Sequence, residues 1–403
     1  MKCLNDRDVK NAILIGGVCS VSYLGVYVVR NILGAVTPQM IADNSLTTEY
    51  IGTVSSLYFI FYAVGQLISG IIGDKIKARY MLSIGMILAG ICNFLFPDMV
   101  GQPSVAKIVY SLSAVFLSMI FAPMTKVIAE NTRAMHAVRC SMGLGIATLL
   151  GSPFAGVLAT MLVWENVFRV GSITLIVMGI LCFVLFWHME KAGIVKYNQY
   201  ATKDKEDSSN GIKLLIQHRI VKFTFVSIIT GIVRTTVVFW LPTYLVQYLG
   251  FSSKQSTIVF TIATFVISMT PFIAVFVYEK LHSNMELTIF LAFLTATVCF
   301  FGVFIIKKPV LNIVLLVLGI MSSNCASNMI WSKYCPSLRD TGMVSTATGF
   351  LNFTSYGAAS ASSAIFANAV SVIGWGSLIL VWFGFMLFGV MISLPFPAKS
   401  HWR

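Results

Sequence analysis

Two arginines lie where an apolar chain has no ordinary use for them. Arg30 sits in "VYVVRN" and Arg234 in "GIVRTT", each inside a long hydrophobic run and each followed, after seven residues, by a proline, Pro38 and Pro242. An arginine at the centre of a membrane-crossing helix costs about 2.5 to 3.5 kcal/mol on insertion scales. Arg30 lies roughly 15 Å from the outer end of its run at the rise of an α-helix, so snorkelling to an interface is hard. A carboxylate would be the usual partner, yet all fifteen Asp and Glu fall in termini, loops or the ends of apolar runs. Two readings stand. Either both guanidinium groups are satisfied by backbone carbonyls and water, or they converge on one anionic ligand. The second suits the side-chain chemistry, because a planar fork matches phosphate oxygens in bidentate geometry and an ammonium does not.

Composition says what must hold these arginines. Of 403 residues, 57% are hydrophobic and 11% charged, against roughly 25% charged in a soluble domain. The chain is therefore expected to be an all-α, polytopic membrane protein. At about 20 apolar residues per crossing it provides about twelve spans, the first near 12–40 and the last two near 342–370 and 374–397. The first run is too long for the apolar core of a signal peptide and contains Arg30, so it is expected to stay in the membrane.

The net charge of +13 would point to nucleic acid in a soluble protein, but its distribution excludes that reading. Of 28 Lys and Arg, 21 fall on one face of the expected topology, 5 on the other and 2 within spans. By the positive-inside rule both termini are cytoplasmic. Eight cysteines are scattered without CxxC or metal-ligand spacing and read as small core residues. No cofactor, metal or catalytic cluster is expected, and the chain is not expected to be an enzyme.

The longest polar stretch, "EKAGIVKYNQYATKDKEDSSNGIK" at 190–213, has the composition of a linker. It divides the chain into an N-terminal bundle of six helices at 1–189, a cytoplasmic linker at 190–219 and a second six-helix bundle at 220–403. A shift of 204 residues superposes Arg234 on Arg30 and Pro242 on Pro38, and a shift of 205 superposes Glu279-Lys280 on Asp74-Lys75. A parallel six-span repeat resembles the major facilitator superfamily, in which the substrate site lies at the midplane between the halves. "GQLISGIIGDKIKAR" supplies Gly70, Asp74, Lys75 and Arg79, similar to that superfamily's signature loop. There the Asp is expected to accept backbone amides at a helix N-terminus and to pair with a basic residue. The plain alternative is a solvated cytoplasmic turn. Gly70, Asp74 and Arg79 are the candidate conformational gate.

"YVVRN", "GIVRTTVVFWLPTYL" and "TATGFLNFTSYG" together resemble the organophosphate:phosphate antiporter family, which includes glycerol-3-phosphate and sugar-phosphate transporters. The resemblance implies that Arg30 and Arg234 bind a substrate phosphate and that Tyr27, Tyr62 and Tyr356 line the site. Each tyrosine also has a packing reading. Lys126 in "FAPMTK" matches a basic residue of the fourth span in that family, which makes it a candidate substrate-binding residue, and equally suits a lysine reaching for the cytoplasmic interface. Three positions depart from the pattern. Gln66 stands where glycerol-phosphate members carry a lysine, "GLGIATLLGSPFAG" offers no counterpart to a fifth-span histidine, and Gly231 replaces an aromatic. Asn324, Asn328 and Asn352 are partners either for sugar-like hydroxyls or for neighbouring helices.

The function expected from these residues is exchange of an organic phosphate for inorganic phosphate by alternating access in the cell membrane. The expected partners are those two anions and the lipid bilayer, with no nucleic acid, and the chain is expected to act as a monomer. A cation-coupled carboxylate symporter is the rival. It would need a titratable group at depth, and His136, His188, His218, His282 and His401 all fall in loops or at span ends. A non-transporting sugar-phosphate sensor is the second alternative.

Overall fold

A computed structural model describes residues 6–42, 48–197 and 208–394, and among them no strand forms. The helices are α1 (Asp6–Ala42), α2 (Thr48–Gly73), α3 (Ala78–Met99), α4 (Pro103–Ser118), α5 (Phe121–Asn131), α6 (Ala134–Met161), α7 (Trp164–Lys191), α8 (Ser208–Gln217), α9 (Ile220–Gln247), α10 (Ser253–Ser268), α11 (Thr270–Lys280), α12 (Met285–Ile305), α13 (Pro309–Met329), α14 (Cys335–Ser337) and α15 (Val344–Ser393). Helix is the expected solution in lipid, where each backbone N–H and C=O must be satisfied within its own segment.

Among the described residues, eleven helical stretches are long and apolar enough to cross a membrane. Three of them are broken: α4 with α5, α10 with α11, and α13 with the turns that follow it. Proline accounts for two of these breaks. Pro271 opens α11, and Pro336 follows the π-helical turn Ile330–Tyr334, each lacking the N–H that would continue the ladder. The span expected at 342–370 is not among the eleven. Its residues are helical, as the first part of α15, but Ser, Thr, Gly and Ala dominate them and lower their hydropathy. Gly374, at φ 71° and ψ 170°, interrupts α15 where two separate spans were expected.

The chain divides into two compact units. One comprises residues 1–218 with 331–353, and the other 219–330 with 354–403. In the first unit α1 packs along α6, and α3 along α7. In the second, α12 packs along α13, and α13 on α9. Large apolar side chains such as Ile13, Val157, Ile180, Val298 and Val310 are exposed, while Ser22, Ser69, Ser83, Asn93, Ser113 and Ser227 are buried. Some of these buried groups bond to backbone, as Ser69 Oγ does to the Ser118 carbonyl at 2.9 Å. Small polar residues inside and aliphatics outside are the packing pattern of helices solvated by lipid.

Candidate functional site

Arg30 lies past the middle of α1, half-buried, with Val29 and Ile32 turned into the core beside it. Tyr27, one turn earlier, accepts a hydrogen bond from Arg30 Nη1 at 3.4 Å. The facing helix α2 adds Phe59 and Tyr62 at i and i+3, which share one helical face. The guanidinium carbon lies 4.5 Å from the Tyr62 ring centroid, 5.3 Å from Tyr27 and 5.8 Å from Phe59. A cation over aromatic faces gains about 0.5 kcal/mol when exposed and about 2 when desolvated. Tyr62 is 2% exposed, and its ring stacks in turn on Tyr58. The structure thus brings Arg30, Tyr27 and Tyr62 together as one cluster. Phe59 belongs to it as well, and its spacing from Tyr62 was the signal that sequence reading passed over.

Arg234 lies at the middle of α9, half-buried, and its guanidinium carbon is 5.9 Å from the Tyr356 ring on α15. Gly231, one turn earlier, explains how α15 comes so near. A Cβ there would meet Ser355 Oγ at 2.5 Å and the Ser355 carbonyl oxygen at 2.8 Å, so only glycine admits this approach. The described ion pairs use Asp8, Asp74, Asp98, Glu190, Glu286 and Asp340, none of them with Arg234.

The third cluster forms around Asp74, just past the end of α2. Its Oδ1 accepts the Ser345 amide at 3.0 Å and its Oδ2 the Thr346 amide at 2.7 Å. Both amides lie in the first turn of α15, where N–H groups lack helical partners and the helix dipole favours an anion. Gly70 permits the contact: a Cβ there would lie 2.8 Å from the Ser345 carbonyl oxygen and 2.9 Å from Gly349 Cα. Lys126, buried on α5, donates to the carbonyls of Asp74 at 2.9 Å and Gly73 at 3.3 Å, and its Nζ is 3.8 Å from Asp74 Oδ1. The structure therefore places Lys126 in the Asp74 cluster. Burial pushes the Asp74 carboxyl above its ordinary value, and the Thr346 hydroxyl, the two amides and Lys126 offset only part of that rise.

Arg79 is buried at the start of α3. Its guanidinium lies 3.2 Å from Glu190 Oε2 at the end of α7, donates to Tyr80 Oη at 2.7 Å and covers the Phe183 ring at 5.0 Å. Sequence reading had set Glu190 aside as a span-end acid. Gln66 is fully buried, and its Oε1 accepts from Asn352 Nδ2 at 3.3 Å. Asn328 Nδ2 donates to the Asn324 carbonyl one turn back on the same helix.

Comparison with known proteins shows the family of the chain. A family model described as Major Facilitator Superfamily matches residues 19–364. The membrane sensor protein UhpC of Salmonella typhimurium is 39% identical over 70 residues, 17% of this chain and 16% of that protein. The glycerol-3-phosphate transporter of Bacillus subtilis is 26% identical over 258 residues, 59% of this chain and 58% of that protein. The glucose-6-phosphate exchanger SLC37A2 of Xenopus tropicalis is 24% identical over 267 residues, 53% of this chain and 52% of that protein. The chain thus spans less than two thirds of the length of each of these relatives. The solved structure of the proton:xylose symporter XylE bound to 6-bromo-6-deoxy-D-glucose superposes with a TM-score of 0.74 at 13% identity, over 98% of this chain and 97% of that one. At that identity the likeness is one of fold.

Proposed function

The chain belongs to the Major Facilitator Superfamily, and from that premise we propose that it exchanges an organic phosphate, of the glycerol phosphate or sugar phosphate class, for inorganic phosphate by alternating access. The observation that carries this proposal is Arg30, set deep in a span among Tyr27, Phe59 and Tyr62, with Arg234 at the matching place of the repeat beside Tyr356. Rings hold a guanidinium in place without neutralising its charge, and a planar fork suits phosphate oxygens. Tyr27 adds a hydroxyl to the same cluster. The names of the Bacillus and Xenopus relatives support a phosphate ester as substrate.

Exchange follows from charge. Arginines that must be dehydrated before the site can occlude resist closure, and a bound phosphate dianion lowers that cost. Each crossing then needs a ligand, in either direction. Gly70, Asp74 and Arg79 serve as the gate: the Asp74 bonds to Ser345 and Thr346 form and break as access alternates, while Arg79 on Glu190 anchors the loop to α7. Lys126 acts through Asp74 in this scheme.

The deciding experiment loads vesicles either with phosphate or with an inert salt. Phosphate-loaded vesicles should take up organic phosphate without an imposed proton gradient. Strong accumulation in salt-loaded vesicles under an inward proton gradient would sink the exchanger and promote the symporter. The protein should lie in the cell membrane with both termini cytoplasmic, so reporters at Lys205 and Arg403, both outside the described residues, should read cytoplasm. External labelling of either would overturn that orientation. A sensor is the second reading, favoured by the 39% match to a membrane sensor protein. Counterflow in proteoliposomes separates the two, since a sensor binds the ester without moving it.

A further inference from the structure

Within the first unit α3 and α7 run antiparallel with their backbones in contact. A Cβ on Gly90 would lie 3.0 Å from the Ser172 carbonyl oxygen, and one on Gly179 3.1 Å from the Ser83 carbonyl oxygen. This register brings the start of α3 beside the end of α7, where Arg79 and Glu190 pair at 3.2 Å. Three layers of side chains follow one another toward that end. Ile84 and Ile180 form the first, exposed and apolar. Tyr80 and Trp187, each 39% exposed, form the second, and rings with an apolar body and a polar tip settle at the edge of a bilayer. Lys77 and Lys191, both exposed, form the third. Lys191 Nζ lies 3.8 Å from the Trp187 ring centroid. Lys77 Nζ lies 3.9 Å from Glu190 Oε2 with its side chain 53% exposed, a pairing that contributes little. Glu190 is engaged more closely by the buried Arg79, so two ammonium groups leave this end of the groove cationic.

We propose that this groove seats an anionic phospholipid, with its phosphate at Lys77 and Lys191, its glycerol and ester oxygens level with Tyr80 and Trp187, and an acyl chain along Ile84 and Ile180. Aliphatic surface, amphipathic rings and ammonium groups match the three parts of such a lipid in their order. A soluble phosphate would use the lysines alone and gain nothing from the rings and aliphatic side chains. A lipid with a zwitterionic headgroup would use the lower layers and bring a cation of its own to the lysines. In the orientation proposed above the groove opens to the cytoplasmic leaflet, whose surface is negative and attracts basic segments beside a span. Seated there, the lipid bridges the ends of the two helices that Arg79 and Glu190 already join.

The test is native mass spectrometry of the purified full chain with equal amounts of phosphatidylglycerol and phosphatidylcholine. Wild type should retain phosphatidylglycerol in preference. Lys77→Gln and Lys191→Gln should each lower that preference about fivefold, the attraction of one lysine to an anionic lipid surface. Lys77→Arg and Lys191→Arg should keep it, and Trp187→Leu should weaken retention of both lipids. The exposed Lys307 and Lys308, between α12 and α13, serve as the control, and their replacement by Gln should leave the preference as in wild type. Equal retention of the two lipids by wild type would overturn the proposal, as would an undiminished preference in the Lys77 and Lys191 variants. Loss of the preference in the control pair to the same degree would show that diffuse charge, and no groove, selects the lipid. Displacement of phosphatidylglycerol by an equal amount of inorganic phosphate would show that the lysines act without the layers below them, and would overturn a lipid as occupant.

Discussion

Arg30 is framed by three rings, at 4.5, 5.3 and 5.8 Å, whereas Arg234 has one described ring, Tyr356, at 5.9 Å. The rings at Arg30 come from its own helix and from α2. The ring at Arg234 comes from α15, which approaches because Gly231 carries no side chain. Equal charge at matching places of the repeat is thus held by different means. Side chains fix the first arginine, and helix spacing fixes the surroundings of the second. The first should respond most to a change in side-chain shape, the second to a change in backbone approach.

The largest effect should come from the arginines themselves. Arg30→Lys should abolish exchange while expression persists, because an ammonium keeps the charge and loses the fork, and a charge-assisted hydrogen bond carries about 1.5 to 3 kcal/mol, or roughly ten- to a hundredfold. Arg234→Lys, in its less enclosed surroundings, should lose less. Wild-type exchange by the Arg30 variant, measured in proteoliposomes, would show that positive potential alone matters there and would erase the distinction between the two.

Gly231→Ala should come next. The added carbon meets Ser355, and overpacking of this kind costs about 1 to 3 kcal/mol, seen as an earlier thermal unfolding transition together with weaker substrate binding. Tyr62→Leu should weaken substrate binding by a smaller factor, since it removes one of the three rings over Arg30. If the alanine at 231 proved harmless, helix spacing would not be what sets the surroundings of Arg234.

The smallest effect concerns Asp74, which touches neither arginine cluster. Its carboxyl is held above its ordinary value while packed on α15, so this packing binds the proton more readily than a separated, hydrated loop does. Acidification below neutrality should therefore favour the packed arrangement, and the gain should fade as pH rises through the raised value. Lys126 faces Asp74, its Nζ 3.8 Å from Oδ1. Cross-linking between cysteines introduced near residues 74 and 346 should increase modestly as pH falls in wild type and lose its pH dependence in Asp74→Asn. An opposite slope would mean that the amides and Lys126 outweigh burial.

Much of the candidate site could be proposed before any helix was placed. Arg30 and Arg234 stood out because a guanidinium in an apolar run is expensive wherever the chain goes, and Tyr27 lies one turn from Arg30 in any helix. The loop from Gly70 to Arg79 was legible for a similar reason, as charges concentrated at the end of an apolar run. Membrane character and helical class follow from composition, because lipid leaves the backbone few alternatives. Partners across helices were not legible. Phe59 is one more phenylalanine among thirty until α2 turns it toward Arg30. Lys126 fitted a ligand site and an interface equally well, and packing of α5 on the end of α2 sets it against Asp74. The amides that hold Asp74 lie 271 and 272 residues further along the chain. Periodicity reports which face of a helix a residue occupies, since that depends on neighbours in sequence. Which helix lies against that face depends on how small residues such as Gly70, Gly231 and Gly349 let backbones close on one another, and that is decided only when the whole bundle packs.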